Sequence, residues 1–308
     1  MYIDEPKHSG DAIDLIRNII DKTNTISYLD NKEYKVPFIA LEGPDSSGKS
    51  TQADLLKGWF EHHKFSPENI LVPPKEGYGE QIFQQIINED LSQELEAMLF
   101  ICGHQASYDK MRQLYKNNKN DLFITHRWYS SLIVYQIIYN KLYESNNILA
   151  SWLASIPLKV PIINIILTMD DDVLYNRSKS DTSDDKFSRD LQFRKDINNI
   201  YKKSNDDIRN ASIQYISRNK EDDSEITEQE IKYTIFYNHN SIIINQTKSD
   251  SIEDISYTIR KEIVDCLSYY KDNILSTLDD EIKHKFVNNR RDKDSILSLE
   301  KQNKGLVN

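Results

Sequence analysis

Glycine, lysine and hydroxyl side chains between residues 43 and 50 follow a spacing that binds phosphate. The stretch reads Gly-Pro-Asp-Ser-Ser-Gly-Lys-Ser and matches the pattern G-x-x-x-x-G-K-[ST]. Such glycines let backbone N–H groups turn onto phosphate oxygens at a helix N-terminus, where the helix dipole also favours negative charge. Lys49 is expected to reach the β- and γ-phosphates, and the Ser50 hydroxyl to bind Mg²⁺. This stretch, called the phosphate loop below, predicts binding of a nucleoside triphosphate through residues Gly43, Asp45, Ser46, Ser47, Gly48, Lys49, Ser50 and Thr51.

A second group of polar side chains follows the apolar run Leu122–Thr125. Arg127 carries a guanidinium that can fork a phosphate, and Ser131, Tyr135 and Gln136 line one side of the next predicted helix. Because ligand groups of open α/β sheets lie at the carboxyl ends of the strands, we expect this group to face the phosphate loop.

Strand-like and helix-like stretches alternate along the chain, which predicts an α/β fold with a five-stranded parallel sheet sandwiched by helices. The predicted strands are Val36–Leu41, Ile70–Val72, Leu122–Thr125, Ile162–Met169 and Ile242–Ile244. The predicted helices are Ser50–His62, Gly79–Asn88, Gln93–Tyr115, Ser130–Tyr143, Asp171–Arg177, Arg189–Tyr215 and about 251–270.

Three segments are predicted from the distribution of charge. Residues 1–35 form a polar N-terminal extension with a short amphipathic helix, on which Ile13, Ile16 and neighbouring isoleucines share a face. Residues 36–270 form the nucleotide-binding domain, with an acidic insertion near 218–229. Residues 271–308 form a polar tail.

Composition excludes several classes of function. The net charge is −10, with 39 basic and 49 acidic residues, so bulk electrostatics do not favour nucleic acid as a partner. The only two cysteines are too few for a disulfide framework or a zinc site and fit a reducing compartment. No apolar run reaches the roughly 18 residues of a membrane span, and the acidic N-terminal region is wrong for a targeting peptide. We therefore expect a cytoplasmic protein without a membrane partner.

In order and spacing these motifs resemble the thymidylate kinase family over about residues 36–270. The stretch 42–52, Glu-Gly-Pro-Asp-Ser-Ser-Gly-Lys-Ser-Thr-Gln, is similar to the whole phosphate loop of that family. The stretch 126–136 resembles the family signature D-R-Y-x-x-S-x-x-A-Y-Q, and Leu99-Phe100 stands where the family has a Leu-Phe pair. Asp185-Lys186-Phe187 resembles the D-R-[FY] that closes the mobile lid.

The resemblance implies a P-loop nucleoside monophosphate kinase that uses ATP and Mg²⁺ to phosphorylate a pyrimidine deoxynucleotide, with dTMP as the expected acceptor. It implies that Asp45 holds the sugar 3′-hydroxyl, that Arg127 binds the 5′-phosphate and that Phe100 stacks on the base. The other substrate-binding residues implied are His104, Ser131, Tyr135 and Gln136, with Tyr135 crowding the 2′ position. The catalytic residues implied are Lys49, Arg127, Arg177 and Lys186. The family also implies a homodimer through the helix that carries Leu95, Met98, Leu99 and Cys102.

The chain departs from the family pattern at several positions. His126 replaces the aspartate that helps to hold Mg²⁺, and imidazole is a poor substitute for a hard oxygen ligand. Gly103-His104 replaces an Asp-Arg pair, so that one imidazole stands for a forked cation. Lys186 replaces the lid arginine, and Lys75 is the candidate to bind the phosphate that an arginine after the second strand binds in the family.

Two alternatives stay open from the sequence. The phosphate loop is intact while substrate-side residues are altered, which would also fit a nucleotide-binding protein with weak or no catalysis. A deoxynucleoside kinase of related fold is the other alternative, but such an enzyme needs a carboxylate base before the arginine, where this chain has His126.

Overall fold

The computed structural model describes residues 5–29, 36–140, 161–180, 191–202 and 241–269, together with residues 271, 275 and 280. Five strands pair in parallel in the order β2-β3-β1-β4-β5. They are β1 Phe38–Glu42, β2 Pro67–Leu71, β3 Leu122–His126, β4 Ile163–Met169 and β5 Ser241–Gln246. The predicted α/β class and all five strands are confirmed, although β2 begins three residues earlier than predicted.

The sheet register places the functional segments side by side. Every residue of β1 and β4 is buried, as expected for central parallel strands covered on both faces. Leu41 in β1 lies opposite His126 in β3, and Glu42 lies opposite Ile166 in β4. The phosphate loop and the segment after β3 therefore leave the sheet at the same edge, as predicted.

Helices cover both faces of the sheet. They are α1 Ser9–Leu29, α2 Lys49–His62, α3 Gly77–Asn88, α4 Gln93–Lys116, α5 Tyr129–Leu132 and α6 Asp171–Ser180. Residues 191–202 and 252–269 are also helical. None of the helices in the described ranges is long and apolar enough to cross a membrane.

Within the stretch predicted as the helix Ser130–Tyr143, the described residues are helical but change their hydrogen-bonding pattern. After the single turn of α5, residues Ile133–Tyr139 form a π-helix, in which the Asn140 N–H donates to the carbonyl of Tyr135 five residues earlier. Wide turns of this kind are rare and occur mostly at functional sites. Here the π-helix carries Tyr135 and Gln136 past the site.

The N-terminal helix packs into one of the hydrophobic clusters of the described structure. α1 has 21 residues, and its apolar face is buried in one cluster with Ile39 of β1 and Trp59 of α2. Trp59 Nε1 also donates to the Glu5 carboxylate at 3.1 Å. The predicted isoleucine face is present, and it packs in this cluster.

Several sequence predictions lie outside the described residues. These are the lid residues Asp185, Lys186 and Phe187, the neighbouring Arg189, the acidic insertion 218–229 and nearly all of the tail 271–308. Leu275 is described and packs against the same cluster as α1.

Candidate active site

The phosphate loop is shaped by close backbone packing. Gly43 has a φ of 130°, and a Cβ atom there would lie 2.2 Å from the carbonyl oxygen of Leu167, so no other residue fits without displacing β4. The Lys49 Nζ folds over the loop and donates to the carbonyls of Gly43 at 3.1 Å and Pro44 at 2.6 Å. These carbonyls hold the Lys49 ammonium at a position where a bound phosphate would replace them as the hydrogen-bond acceptor.

The charge of Lys49 depends on what occupies the loop. Burial, reinforced by the positive charge of Arg127, lowers the pKa of Lys49 to about 7. A polyphosphate supplies negative charge at this point and favours the protonated form. An anion bound at the loop therefore stabilises the charged form of Lys49.

Arg127 turns back towards the loop immediately after β3. Its φ is 74°, a left-handed conformation that is costly for a residue with a Cβ and is typical of functional sites. The Arg127 N–H donates to the carbonyl of Leu41 at 2.8 Å, which fixes the turn against β1. Its guanidinium pairs with Asp45 and donates to Ser131 Oγ at 3.3 Å. The two residues predicted to hold opposite ends of a nucleotide acceptor are thus brought together.

The carboxylate of Asp45 is ionised by this arrangement. Burial alone would raise the pKa of Asp45, but the charges of Arg127 and Lys49 outweigh it and hold the pKa below its ordinary value. Asp45 therefore stays an acceptor for a hydroxyl, with its Oδ1 already paired to Arg127.

Glu42, which the sequence reasoning missed, holds the turn after β3 through hydrogen bonds. It is completely buried at the end of β1 and accepts from the backbone N–H groups of Trp128 at 2.9 Å and Ser131 at 3.3 Å. The Ser131 hydroxyl donates to the other carboxylate oxygen, and Tyr201 Oη lies 3.0 Å from that hydroxyl. Burial raises the pKa of Glu42, while the Ser131 hydrogen bonds and the charge of Arg127 oppose this.

A cleft of about 440 Å³ runs from the phosphate loop across Arg127 to an apolar end. The apolar end includes Phe100 on α4 and Phe83 on α3, and Lys75 lines the cleft with its Nζ 5.5 Å from the Phe83 ring centroid. Tyr135 lies under the Arg127 guanidinium at 4.8 Å, and Gln136 donates to Glu96 at 3.0 Å. All seven residues predicted to bind the acceptor line this one cleft: Asp45, Phe100, His104, Arg127, Ser131, Tyr135 and Gln136.

The geometry of His104 differs from that of a base-reading donor. Its Nδ1 lies 2.6 Å from the carbonyl oxygen of Phe100 on the same helix, so this nitrogen carries hydrogen and is occupied. The ring is only 2% exposed and packs 5.4 Å from Trp128. Gly103, the residue before His104, packs against Pro73. A Cβ atom added to Gly103 would lie 2.7 Å from Pro73 Cγ. The departure from Asp-Arg thus coincides with tight packing of α4 on the loop after β2.

His126 lies beside the predicted metal ligand. Its Nδ1 is 3.3 Å from Ser50 Oγ, and burial lowers the pKa of the imidazole. A neutral Nδ1 that accepts the hydroxyl hydrogen leaves the lone pairs of Ser50 Oγ for a cation. Within the ranges that the structure describes, no group of three or more His, Cys, Asp or Glu side chains could hold a metal.

Two further arginines reach the loop from outside it. Arg177, predicted as a lid cation, donates to the Ser46 carbonyl at 3.4 Å and to Gln246 Oε1 at 2.8 Å. Arg194, which the sequence reasoning did not single out, donates to Ser46 Oγ at 3.0 Å. Its signal in the sequence is weak because it stands in a run of charged residues.

A phosphate loop after the strand β1 and a paired arginine after the strand β3, joined by one cleft, are the features of a P-loop protein. A model of the thymidylate kinase family matches residues 41–231, more than half of the chain. The chain belongs to the thymidylate kinase family, whose members are nucleoside monophosphate kinases that generally use ATP and Mg²⁺.

Relatives found by sequence agree with this assignment. A probable thymidylate kinase from Methanosphaera stadtmanae is 32% identical over 156 residues, which cover 48% of this chain and 76% of the relative. A probable thymidylate kinase from Pyrococcus horikoshii is 34% identical over 105 residues, 32% of this chain and 51% of that protein. Among solved structures, a thymidylate kinase from Candida albicans has 20% identity and a TM-score of 0.49, with 78% of this chain and 92% of its own covered.

Proposed function

We propose that the protein transfers the γ-phosphoryl group of ATP to dTMP, forming dTDP and ADP. The observation that carries this proposal is the pairing of Asp45 with Arg127 in the cleft between the phosphate loop and the aromatic end. A carboxylate for a sugar hydroxyl, carried by the phosphate loop itself, and a guanidinium for a phosphate stand next to each other in one cleft. Neither open alternative has such support, because the residues expected to bind an acceptor line one cleft and the residue before Arg127 is a histidine.

The reaction needs no covalent intermediate. An oxygen of the dTMP phosphate forms the new bond to the γ-phosphorus, and the bond from that phosphorus to the β,γ-bridging oxygen breaks. The electron pair of the broken bond goes to the ADP leaving group. Phosphoryl transfer of this kind depends on alignment and on charge neutralisation, for which Lys49 and Arg127 are placed on the donor and acceptor sides.

The residues present fit ATP with Mg²⁺. Mg²⁺ keeps several waters and takes substrate phosphate oxygens as ligands, and Ser50 Oγ would be its ligand from the protein. When bound, the ion neutralises charge on the β- and γ-phosphate oxygens. Backbone N–H groups of the loop, together with Ser46, Ser47, Gly48 and Thr51, would cradle the phosphates at the N-terminus of α2.

Substitution of the acceptor arginine tests the proposal. Arg127→Met should raise KM for dTMP and lower kcat, together costing about 10²–10³-fold in kcat/KM, since one preorganised charge at a transition state is worth a few kcal/mol. Arg112→Met is the matched control, because Arg112 lies on α4 and pairs with Asp109 away from the phosphate loop. Equal activity of the two variants towards dTMP would contradict the assigned acceptor site.

We also propose a homodimer in the cytoplasm, without a nucleic-acid partner. Leu95 and Met98 on α4 are 46% and 44% exposed, and with Leu99 and the exposed Cys102 they form one apolar stripe. The free thiols fit a reducing compartment. Sedimentation at micromolar concentration should show a dimer that Met98→Glu dissociates, and a monomeric wild-type protein would contradict the proposal.

A further inference from the structure

His126 and Ser50 bring a nitrogen and an oxygen atom together at the phosphate loop. His126 ends β3, Ser50 lies in the first turn of α2, and both side chains line the cleft. The His126 Nδ1 is 3.3 Å from Ser50 Oγ. His126 is fixed by strand pairing on both sides, because it lies opposite Leu41 in β1 and Leu71 in β2. The two atoms therefore stand at a defined separation before any ligand binds.

The separation of these two atoms fits two ligands of one metal ion. Two adjacent ligands at about 2.1 Å from an octahedral ion lie about 3.0 Å apart. Two ligands at about 2.05 Å from a tetrahedral ion lie about 3.3 Å apart. The 3.3 Å between His126 Nδ1 and Ser50 Oγ agrees with the second value and is close to the first. A cation bound to both atoms would take the place of the hydroxyl hydrogen that lies between them.

The hydrogen bonds of His126 do not explain why a histidine stands at this position. Its Nε2 is buried and has no hydrogen-bond partner, and its contact with Ser50 is longer than the about 2.8 Å that is typical of hydroxyl donors. A buried polar atom without a partner is unfavourable for the fold and calls for another role, such as binding an ion. Burial lowers the pKa of His126, and the charge of Asp54, one turn after Ser50 on α2, partly opposes this. A carboxylate near a ligating imidazole makes the imidazole a stronger ligand.

The rest of the cleft offers a cation few hard oxygen ligands. Asp45 is the one acidic residue among the described residues that line the cleft, and its carboxylate pairs with Arg127. Mg²⁺ prefers oxygen ligands and gains little from an imidazole nitrogen, whereas Fe²⁺, Co²⁺ and Zn²⁺ bind imidazole well. The pair of His126 and Ser50 therefore suits a transition-metal ion better than it suits Mg²⁺.

We propose that His126 Nδ1 and Ser50 Oγ together bind the divalent cation of the nucleotide, and that this pair makes the site favour a first-row transition-metal ion over Mg²⁺. This assignment rests on the nucleotide-binding part of the proposed function, in which ATP occupies the phosphate loop. The remaining ligands are phosphate oxygens and water, because no group of three or more His, Cys, Asp or Glu side chains in the described ranges could hold a metal unaided. Mg²⁺ is still accepted through Ser50, but it gains nothing from His126.

Binding of Co²⁺ with ADP, in the absence of dTMP, tests whether a histidine nitrogen is a ligand. Proton NMR of protein labelled with ¹⁵N-histidine should show one strongly shifted imidazole N–H resonance, from a histidine bound to the paramagnetic ion. Because His126 Nε2 is buried, its hydrogen should exchange slowly enough to be seen. His126→Gln should abolish the resonance. His62→Gln is the matched control, because His62 is exposed at the end of α2, about 18 Å along the helix from Ser50.

Calorimetry of the same variants gives the Kd of Co²⁺ and of Mg²⁺ for the complex of protein and ADP. We expect His126→Gln to weaken Co²⁺ binding by about tenfold and Mg²⁺ binding by no more than about twofold, with no change in His62→Gln. Three results would overturn the assignment: no shifted N–H resonance in the wild type, the same resonance in His126→Gln, or an equal loss of both ions in that variant. If His126→Gln does not fold by circular dichroism, the labelled wild type decides, since a shifted resonance that requires ADP supports the assignment and its absence overturns it.

The proposed function and the metal assignment can fail separately. If the protein makes no dTDP but shows the ADP-dependent resonance, transfer to dTMP is contradicted and the cation site at the phosphate loop is supported. If dTDP forms and no imidazole resonance is shifted, the role of His126 as a ligand is overturned while the proposed function stands.

Discussion

Replacement of Glu42 by glutamine keeps the shape of the side chain but exchanges an acceptor oxygen for an NH₂ group at a completely buried position. In the native arrangement Ser131 Oγ donates to Glu42 and accepts from Arg127 NH1 at 3.3 Å. A glutamine amide would direct hydrogen at the same hydroxyl, so Ser131 would have to turn its own hydrogen away and one amide hydrogen would stay unpaired. The Ser131 contacts with both Glu42 and Arg127 are therefore disturbed together.

The expected cost is about 2 kcal/mol in the free energy of unfolding, because the Ser131 hydroxyl loses its acceptor on residue 42 and one buried amide hydrogen stays without a partner. Urea denaturation measures this cost. Glu68→Gln on β2 is the control, as Glu68 is partly exposed and pairs with Lys57 at 3.0 Å. It should change the free energy by no more than about 0.5 kcal/mol.

Because Glu42 also holds the turn of Arg127, we expect KM for dTMP to rise in Glu42→Gln while the Kd of an ATP analogue stays the same. Equal effects of Glu42→Gln and Glu68→Gln on both stability and KM would refute this role. That result would show that the buried network does not need a carboxylate at position 42.

Three further variants probe other parts of the molecule. Lys49→Met should lower kcat by about 10²–10³-fold through loss of one preorganised charge, and a wild-type rate in steady-state assays would contradict the donor site. His126→Asp places a carboxylate beside Ser50 and should lower the Mg²⁺ concentration for half-maximal rate by about tenfold; an unchanged or higher Mg²⁺ requirement would give the histidine its own role. Burial alone would raise the pKa of Glu5, but hydrogen bonds, led by that from Trp59, lower it. Ionised Glu5 therefore stabilises the fold above its ordinary pKa, and this stabilisation is lost as the pH falls through the lowered pKa. The difference in thermal stability between wild type and Glu5→Gln should therefore vanish in acid, and a constant difference would rule out this contribution.

The pattern of apolar residues predicts the sheet because its strands are buried on both faces. The runs in β1 and β4 are long enough to be recognised, and the carboxyl-edge rule predicts that the phosphate loop and the segment after β3 face each other. β2 is less visible because its first residues are Pro67 and Glu68, which do not have a strand-like composition. The π-helix cannot be recognised in the sequence. The positions of apolar residues do not show whether a backbone N–H bonds to the carbonyl four residues earlier, as in an α-helix, or five residues earlier, as in a π-helix.

Motif spacing predicts the residues that line the cleft better than those that support them. Arg127 and Asp45 lie within recognisable patterns, whereas Glu42 is a single acidic residue at the end of an apolar strand. A signal was nevertheless present, since a charge in a central strand must have partners. Arg194 and Tyr201 lie far from the phosphate loop in sequence, and only the tertiary structure brings them to Ser46 and Ser131.

The most direct test of the proposed phosphoryl transfer is product analysis of the purified protein with ATP, Mg²⁺ and dTMP. Phosphorus NMR of the mixture should show dTDP and ADP appearing in equal amounts, with almost no ADP formed when dTMP is left out. Formation of ADP at the same rate without dTMP, or phosphorylation of thymidine in preference to dTMP, would contradict the assignment of Asp45 and Arg127 as the acceptor site.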